Sequence, residues 1–224
     1  MIVSPFPLLR QFSDQLTVAL FTKSDDVGND NEAANAIGAS SAVGLWQMHG
    51  KKTVIVRAPS ARSEQADGML TDVSDLALCL RWADCQNFVV YAPDHHVTGM
   101  LHAGWRGLIA GAIPEFFASL KREWGIDASA TFVGAGPSLC QRCAEFSDPH
   151  RELPSLDKKF IDGKQVNLQA AATAQMLECG VHPDRIERHS DCTRCEPGKY
   201  WTYRGGDREA VIAGHTNMLV CCMK

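Results

Sequence analysis

The sequence predicts a strand-rich α+β or α/β fold, and three observations support this. Short runs rich in β-branched or aromatic residues recur along the chain, and each ends at Gly, Asp or Pro. Few segments carry helix signals. The 224 residues are 45% hydrophobic and 21% charged, which is enough apolar material for one sizeable core. Since no repeat or long linker divides the chain, we expect residues 1–224 to form a single domain.

Ten runs predict strands because of their β-branched and aromatic content. In chain order they are Leu16–Thr22, Ala42–Met48, Thr53–Arg57, Leu76–Arg81, Asn87–Tyr91, Val97–Leu101, Ala130–Val133, Ile186–Arg188, Tyr200–Tyr203 and Ala210–Ala213.

Three segments predict helices, namely Asp30–Ile37, Leu108–Trp124 and Leu168–Cys179. Asn167 is expected to cap the third helix at its N-terminus, and Gly180 to follow its C-terminus. Pro114 should kink or restart the second helix, because proline removes an intrahelical bond. The polar, Pro-containing stretch 147–159 predicts a long surface loop.

The composition argues against nucleic-acid and membrane partners. The net charge is −4 and no basic run is interleaved with aromatics, which argues against a nucleic-acid partner and favours a small molecule. No stretch approaches the roughly 18–20 apolar residues that span a bilayer, and the first residues lack a signal-peptide pattern, so no membrane partner and a cytoplasmic location are expected. Nine cysteines, an odd number, suit a reducing compartment without structural disulfides.

Cys85 and His102 flank a predicted hairpin almost symmetrically, with the turn signal Pro93-Asp94 midway between them. Antiparallel pairing of the two flanking strands would therefore bring the thiol and the imidazole side by side. A soft ligand beside a borderline one indicates a transition metal. The same proximity would also suit a metal-free hydrolase, in which His102 activates Cys85 as a nucleophile.

His49 ends an apolar run just before a Gly-Lys turn, where it either stays a structural residue or reaches a neighbouring cleft. With Cys85 and His102 it would complete a set of three ligands, which leaves tetrahedral zinc one open position, as in catalytic sites. Asp84 is then a candidate general base, and Arg106 an anion-binding cation beside a helix N-terminus. The alternative for Arg106 is an ion pair with a carboxylate, next to a core Trp105.

Two CxxC pairs form a rival metal site. They are Cys140-Gln141-Arg142-Cys143 and Cys192-Thr193-Arg194-Cys195. Together they have the ligand chemistry of a structural Cys₄ zinc site, although their separation is long for a zinc ribbon. The alternatives are ordinary buried thiols or, less in keeping with the local pattern, a thioredoxin-like redox pair.

Several motifs, taken in order and spacing, resemble the YfiH/LACC-type family, also called the laccase-domain or polyphenol oxidase family. They are Gln47-Met48-His49-Gly50, Ala66-Asp67-Gly68-Met69-Leu70-Thr71, Ala83-Asp84-Cys85, His102-Ala103-Gly104-Trp105-Arg106-Gly107, Gly134-Ala135-Gly136-Pro137-Ser138 and Cys192-Thr193. The resemblance covers most of the chain.

The resemblance implies a layered α/β/β/α sandwich of mixed sheets and a zinc ion held by His49, Cys85 and His102. It also implies phosphorolysis of adenosine, inosine, guanosine or methylthioadenosine, and hydrolytic deamination of adenosine, with substrate contacts expected from Gln47, Arg106 and Arg204. Some members are linked to peptidoglycan-precursor editing, and an older assignment makes them copper-dependent phenol oxidases.

The chain departs from the family pattern at two points. Asn35-Ala36 stands where the family usually has Asn-Arg, and Thr202-Tyr203-Arg204-Gly205 keeps one arginine of the usual Ser-Tyr-Arg-Arg.

Multicopper electron transfer needs many histidines, whereas this chain has eight, so the copper hypothesis is weaker, although Cu²⁺ could enter the zinc site. A zinc-dependent purine nucleoside enzyme is the leading hypothesis. The non-enzymatic alternative is a metal-stabilised interaction domain.

Overall fold

Two six-stranded mixed β-sheets stack face to face in the computed structural model, which describes residues 1–25 and 27–224. The described residues contain these strands: β1 (Ile2–Val3), β2 (Leu16–Phe21), β3 (Ser41–Trp46), β4 (Thr53–Ile55), β5 (Ser60–Gln65), β6 (Gly68–Thr71), β7 (Leu76–Trp82), β8 (Gln86–Ala92), β9 (Val97–Ala103), β10 (Phe132–Ala135), β11 (Ile161–Asp162), β12 (Gln165–Val166), β13 (Ile186–Arg188) and β14 (Asn217–Met223).

The first sheet has the order β1-β2-β14-β7-β3-β5 and the second has the order β13-β10-β8-β9-β6-β4. Most neighbours are antiparallel, but β3 runs parallel to β5 and β7, β4 to β6, and β10 to β13. Strands β11 and β12 form a separate small hairpin.

The helices are α1 (Pro7–Arg10), α2 (Asp30–Ala36), α3 (Trp105–Ala110), α4 (Ala112–Trp124), α5 (Pro149–Glu152), α6 (Leu168–Glu178) and α7 (Arg208–Ile212). Asn29 caps α2 by accepting from the Glu32 N–H, and Asn167 caps α6 as predicted. Gly180, with φ of +99°, follows α6 as expected of a glycine in the left-handed region. None of the helices in the described ranges is both long and apolar enough to cross a bilayer.

Three buried clusters divide the chain into four layers. Side chains from the facing sheets, such as Leu78 and Val89, form the central cluster. The outer face of the first sheet packs against α2, and that of the second packs against α4 and α6 around Phe116. The layered α/β/β/α arrangement of mixed sheets is therefore confirmed.

The hairpin that carries Cys85 and His102 forms as predicted. Strands β8 and β9 pair antiparallel, with Asn87 opposite His102. A short turn at Pro93–His95 joins them, and His96 completes the turn in the left-handed region at φ +51°.

Two strand predictions near the C-terminus are wrong. Residues 200–203 lie in a loop whose backbone bonds to side chains: Trp201 N–H donates to Asn217 Oδ1 and Thr202 N–H to Asp207 Oδ2. The segment Ala210–Ala213 falls largely within α7, where Val211 N–H donates to Asp207 O at 2.8 Å. Aromatic and β-branched content misled both predictions, because the context outweighs such weak local preferences.

Other elements differ from the sequence prediction in extent. The sequence predicts none of the strands β1, β5, β6, β11, β12 and β14, and β14 lies near the middle of the first sheet. The helix predicted over 108–124 is two helices separated by Gly111, whose φ is +83°. Pro114 sits in the first turn of α4, where a missing N–H costs no helical bond. The stretch 147–159 contains α5 within an otherwise irregular segment.

Candidate active site

A cleft of about 560 Å³ opens where the loop after β3, the β7–β8 turn and the end of β9 meet. His49, Cys85 and His102 line it, together with Arg106 and Arg204. Its volume is in the range of small-molecule sites.

The structure brings together the three side chains that the sequence singled out as metal ligands. One donor atom from each of His49, Cys85 and His102 lies within 4.8 Å of the other two. His102 is buried at the end of β9, whereas His49 is exposed and approaches from the loop after β3. The two imidazole rings meet edge to face with centroids 5.0 Å apart. Three soft or borderline donors therefore converge on one point.

Gly104 allows the thiol to approach the chain this closely. A Cβ added at Gly104 would lie 2.8 Å from Cys85 Sγ and 3.5 Å from His49 Cδ2. The first distance is shorter than real Cβ contacts, so any side chain there would displace the sulfur. The motif His-Ala-Gly-Trp-Arg-Gly therefore needs a glycine at position 104, because a larger residue would not fit beside Cys85.

Asp67 fixes the two histidines relative to each other. Its buried carboxylate accepts from the backbone N–H groups of Met48, His49 and Gly50 at 3.2, 2.9 and 2.7 Å. It also accepts from His102 Nδ1 at 2.8 Å, so Nε2 of that ring is left for a ligand in the cleft. His49 is held with φ at +59° by this loop. From the sequence alone, Asp67 is a member of a motif with no predicted role.

The pKa values of these groups follow from their contacts. Burial alone would raise the pKa of Asp67, but the hydrogen bond from His102 and the backbone N–H groups hold it below its usual value. Burial likewise opposes the shift at Cys85, yet His102 and His49 lower the pKa of the thiol to about 6. The pKa of His102 rises to about 9 against its own burial, because Cys85 and Asp67 face it. A thiolate is therefore favoured at neutral pH.

The donor set fits zinc. Two imidazole nitrogens and a thiolate are ligands that zinc prefers, and three protein ligands are typical of its catalytic sites. A carboxylate behind one histidine, as Asp67 stands behind His102, is the usual support of such a ligand.

Asp84 lies next to Cys85, and both oxygens of its carboxylate accept hydrogen bonds from other residues of the chain. Oδ1 accepts from the hydroxyls of Thr193 and Thr202 at 2.7 and 2.6 Å, and Oδ2 accepts from the Arg204 N–H at 2.7 Å. The residue is buried and has φ of +77°. Three donors thus tie both oxygens to the loop that follows β13, which gives Asp84 the geometry of an anchor for that loop.

Gln47 is also tied to the backbone. Its Nε2 donates to Arg81 O at 2.8 Å and its Oε1 accepts from Arg81 N–H at 3.1 Å. Both ends of the amide are therefore engaged at the end of β7. In this geometry Gln47 links the loop that carries His49 to the end of β7.

Two arginines supply positive charge to the cleft. Arg106 is exposed and stacks on Trp105, with its guanidinium carbon 4.2 Å from the ring centroid. Over residues 1–25 and 27–224, no carboxylate lies within ion-pair distance of Arg106. Arg204 lies over Phe146 and donates to Glu145 O. The charge of Arg106 is therefore available to an anion in the cleft.

Residues 22–222 match the family model described as multi-copper polyphenol oxidoreductase laccase. The chain belongs to this family. The resemblance indicated by the motifs is thereby confirmed.

Curated relatives in this family carry enzyme names. Purine nucleoside phosphorylase SCO2081 from Streptomyces coelicolor is 29% identical over 205 residues, covering 85% of this chain and 83% of that protein. Adenosine deaminase RL5, from an unknown prokaryotic organism, is 26% identical over 171 residues, covering 70% of this chain and 62% of that protein.

Solved structures share the fold. The hypothetical protein YfiH from Bacillus licheniformis superposes with a TM-score of 0.81 at 22% identity, over 96% of this chain and 95% of its own. YlmD from Geobacillus stearothermophilus gives 0.74 at 25% identity, over 90% of this chain and 80% of its own.

The low pKa of Cys85 predicts an unusual pH profile of alkylation in chelator-treated protein. Because the thiolate is half-formed near pH 6, the Cys85 alkylation rate should rise between about pH 5 and 7 and then level off. Cys179, whose pKa burial raises, serves as the internal control and should still gain rate at pH 9. Peptide-level mass spectrometry resolves the two sites. A Cys85 rate that keeps rising to pH 9 would contradict the thiolate–imidazolium pair.

Proposed function

We propose that this chain is a zinc-dependent purine nucleoside enzyme whose metal ligands are His49, Cys85 and His102. The observation that carries the proposal is the convergence of these three donors in the cleft, with Asp67 supporting His102 from behind. The name of the relative that covers 85% of the chain, a purine nucleoside phosphorylase, supplies the reaction class. The proposed compartment is the cytoplasm, where a thiolate ligand stays reduced.

Zinc bound there would supply a Lewis acid at one open coordination position, facing a cleft large enough for a nucleoside. The residues of the chain supply binding and orientation. Asp67 fixes the His102 tautomer, and Gly104 keeps the space beside Cys85 clear. Gln47 and Asp84 hold the loops on the two sides of the cleft.

Phosphorolysis requires an anion site beside the sugar. The bond between C1′ and the purine nitrogen breaks, a phosphate oxygen bonds to C1′, and the purine leaves as the free base with the proton that hydrogen phosphate gives up. Arg106 is placed to hold the phosphate, because its guanidinium is free of carboxylates and is kept in place by the Trp105 ring. Arg204 adds positive charge across the cleft, with its guanidinium directed toward Glu145 O.

The remaining lining suits a purine base. Leu139, Leu168 and Val211 contribute apolar surface, and Tyr203, 41% exposed, lies at the rim. A flat aromatic base buries well against such side chains. Deamination of adenosine, named for one relative, would use the same base pocket for a different bond: water bonds to C6 of the base and the amino group leaves as ammonia.

The zinc hypothesis and the Cys–His hydrolase hypothesis differ in the role of His49, which is a ligand in the first. Asp67, His102 and Cys85 form a row that would serve a metal-free hydrolase, and in that chemistry His49 has no part. A multicopper oxidase requires several histidine-rich metal centres. Of the two ligand clusters found among residues 1–25 and 27–224, a single one contains histidine. We therefore favour zinc and one catalytic centre.

Replacing His49 by Ala should remove zinc and lower turnover of adenosine with phosphate by at least about 100-fold, because a ligand is lost. Mass spectrometry of the products is the measurement: adenine with ribose-1-phosphate indicates phosphorolysis, and inosine indicates deamination. His95→Ala, in the exposed turn between β8 and β9, is the matched control and should leave both unchanged.

Two outcomes would contradict the proposal. A fully active, metal-free His49→Ala protein would favour the Cys–His hydrolase. A zinc-loaded wild type that converts no purine nucleoside would favour peptidoglycan-precursor editing or a metal-stabilised interaction domain.

Arg106→Gln should raise the KM for phosphate about 10- to 100-fold, because one charge-assisted contact to the anion is lost, and should leave the KM for the nucleoside nearly unchanged. Initial rates at varied phosphate concentration give both constants. Arg151→Gln, at an exposed position on α5, is the control for the loss of one positive charge. An unchanged KM for phosphate would remove Arg106 from the anion site.

A further inference from the structure

The two CxxC pairs, which the proposed reaction does not use, meet at one place. The thiol sulfurs of Cys140, Cys143, Cys192 and Cys195 all lie within 4.8 Å of one another, and all four are free thiols. The cluster extends from a buried cysteine, Cys192, to an exposed one, Cys195. A metal could therefore enter from solvent without unfolding the chain.

Both CxxC segments adopt the same turn. In the first, the N–H groups of Cys143 and Ala144 both donate to Cys140 O at 3.0 Å. In the second, the N–H groups of Cys195 and Glu196 both donate to Cys192 O at 3.1 Å. The repeated turn brings the two sulfurs of each pair to one side of the backbone. Two equal turns facing each other present four sulfurs to one central point.

The distances between sulfurs fit a tetrahedral tetrathiolate site. Zinc–sulfur bonds of about 2.3 Å in a tetrahedron place neighbouring sulfurs about 3.8 Å apart. The Cys143–Cys195 and Cys140–Cys195 distances are 3.6 and 4.0 Å. The Cys140 N–H also donates to Cys192 Sγ at 3.2 Å, the kind of backbone bond that stabilises a thiolate. Four protein sulfurs complete the coordination shell, which is typical of structural zinc.

The cluster joins two segments that otherwise have little regular structure. The described segment 189–207 contains no helix or strand, and an irregular segment of this length needs an internal constraint. Thr193, inside the second CxxC turn, donates to Asp84, and the N–H of Leu139, next to the first, donates to Asp84 O. Asp84 adjoins Cys85, so the cluster is connected to the wall of the cleft.

We propose that Cys140, Cys143, Cys192 and Cys195 bind a second, structural zinc ion that fastens segment 189–207 to the loop after β10. Each cysteine that binds releases its thiol proton to solvent and adds a thiolate, with no change of oxidation state. The ion closes a long loop of chain, and in doing so it sets the position of the Asp84 anchor beside the candidate catalytic centre.

The test counts zinc in the full-length chain, purified without chelator and measured by plasma mass spectrometry. We expect two zinc ions per chain in the wild type and one in His49→Ala/His102→Ala. X-ray absorption on that double variant should show four sulfurs at about 2.3 Å around the remaining zinc. Both measurements leave the four cysteines unchanged, so they do not depend on how a cysteine variant folds.

A second variant measures the structural effect. Cys143→Ser/Cys195→Ser should lose one zinc and lower the Tm by at least about 5 °C, because the loop loses its constraint. Cys179→Ser, a half-buried cysteine outside both clusters, is the control and should retain both ions. A double histidine variant that retains no zinc, or a remaining zinc with nitrogen or oxygen ligands, would overturn the proposal. Zinc counts do not depend on nucleoside turnover, so failure of the proposed reaction would leave this test intact.

Discussion

The buried carboxylate of Asp67 is the interaction on which the rest of the site depends. It accepts four hydrogen bonds, three from successive backbone N–H groups at positions 48–50 and one from His102 Nδ1. The first three hold His49 in a left-handed backbone conformation that an L residue seldom adopts. The fourth orients the buried imidazole. One side chain therefore fixes the two histidines relative to each other, although His49 follows β3 of the first sheet and His102 lies in β9 of the second.

The fold delivers the remaining parts through the ends of neighbouring strands. The β8–β9 hairpin brings Cys85 and His102 together, and α3 begins directly after β9 with Trp105 and Arg106. The loop after β13 forms the opposite wall of the cleft, and Asp84 anchors that loop through hydrogen bonds. The two proposed metal sites are thus connected: the His49, Cys85 and His102 site would hold the catalytic zinc, and the cysteine cluster would hold the loop that Asp84 anchors.

What the sequence could predict was local or symmetric. The Cys85–His102 proximity follows from hairpin pairing about one turn, and the cap of α6 follows from Asn167. The position of β14 between β2 and β7 could not be predicted, because it depends on pairing with strands far away in the chain. For the same reason the sequence could suggest four cysteines in two pairs but not that their turns face each other. The role of Asp67 could not be predicted, because three of its partners are backbone N–H groups and the fourth, His102, comes beside it only through the pairing of β6 with β9.

The zinc affinity of Asp67→Asn, measured by competition with a chelator of known affinity, shows whether Asp67 organises the site. We expect an affinity lower by about 10- to 100-fold at the histidine site, because the amide removes the negative charge beside His102 and cannot accept all the N–H groups at positions 48–50. Asp72→Asn, which changes an exposed aspartate paired with Arg57, should leave the affinity unchanged. An Asp67→Asn protein with the wild-type circular dichroism spectrum and wild-type zinc affinity would show that Asp67 does not organise the site.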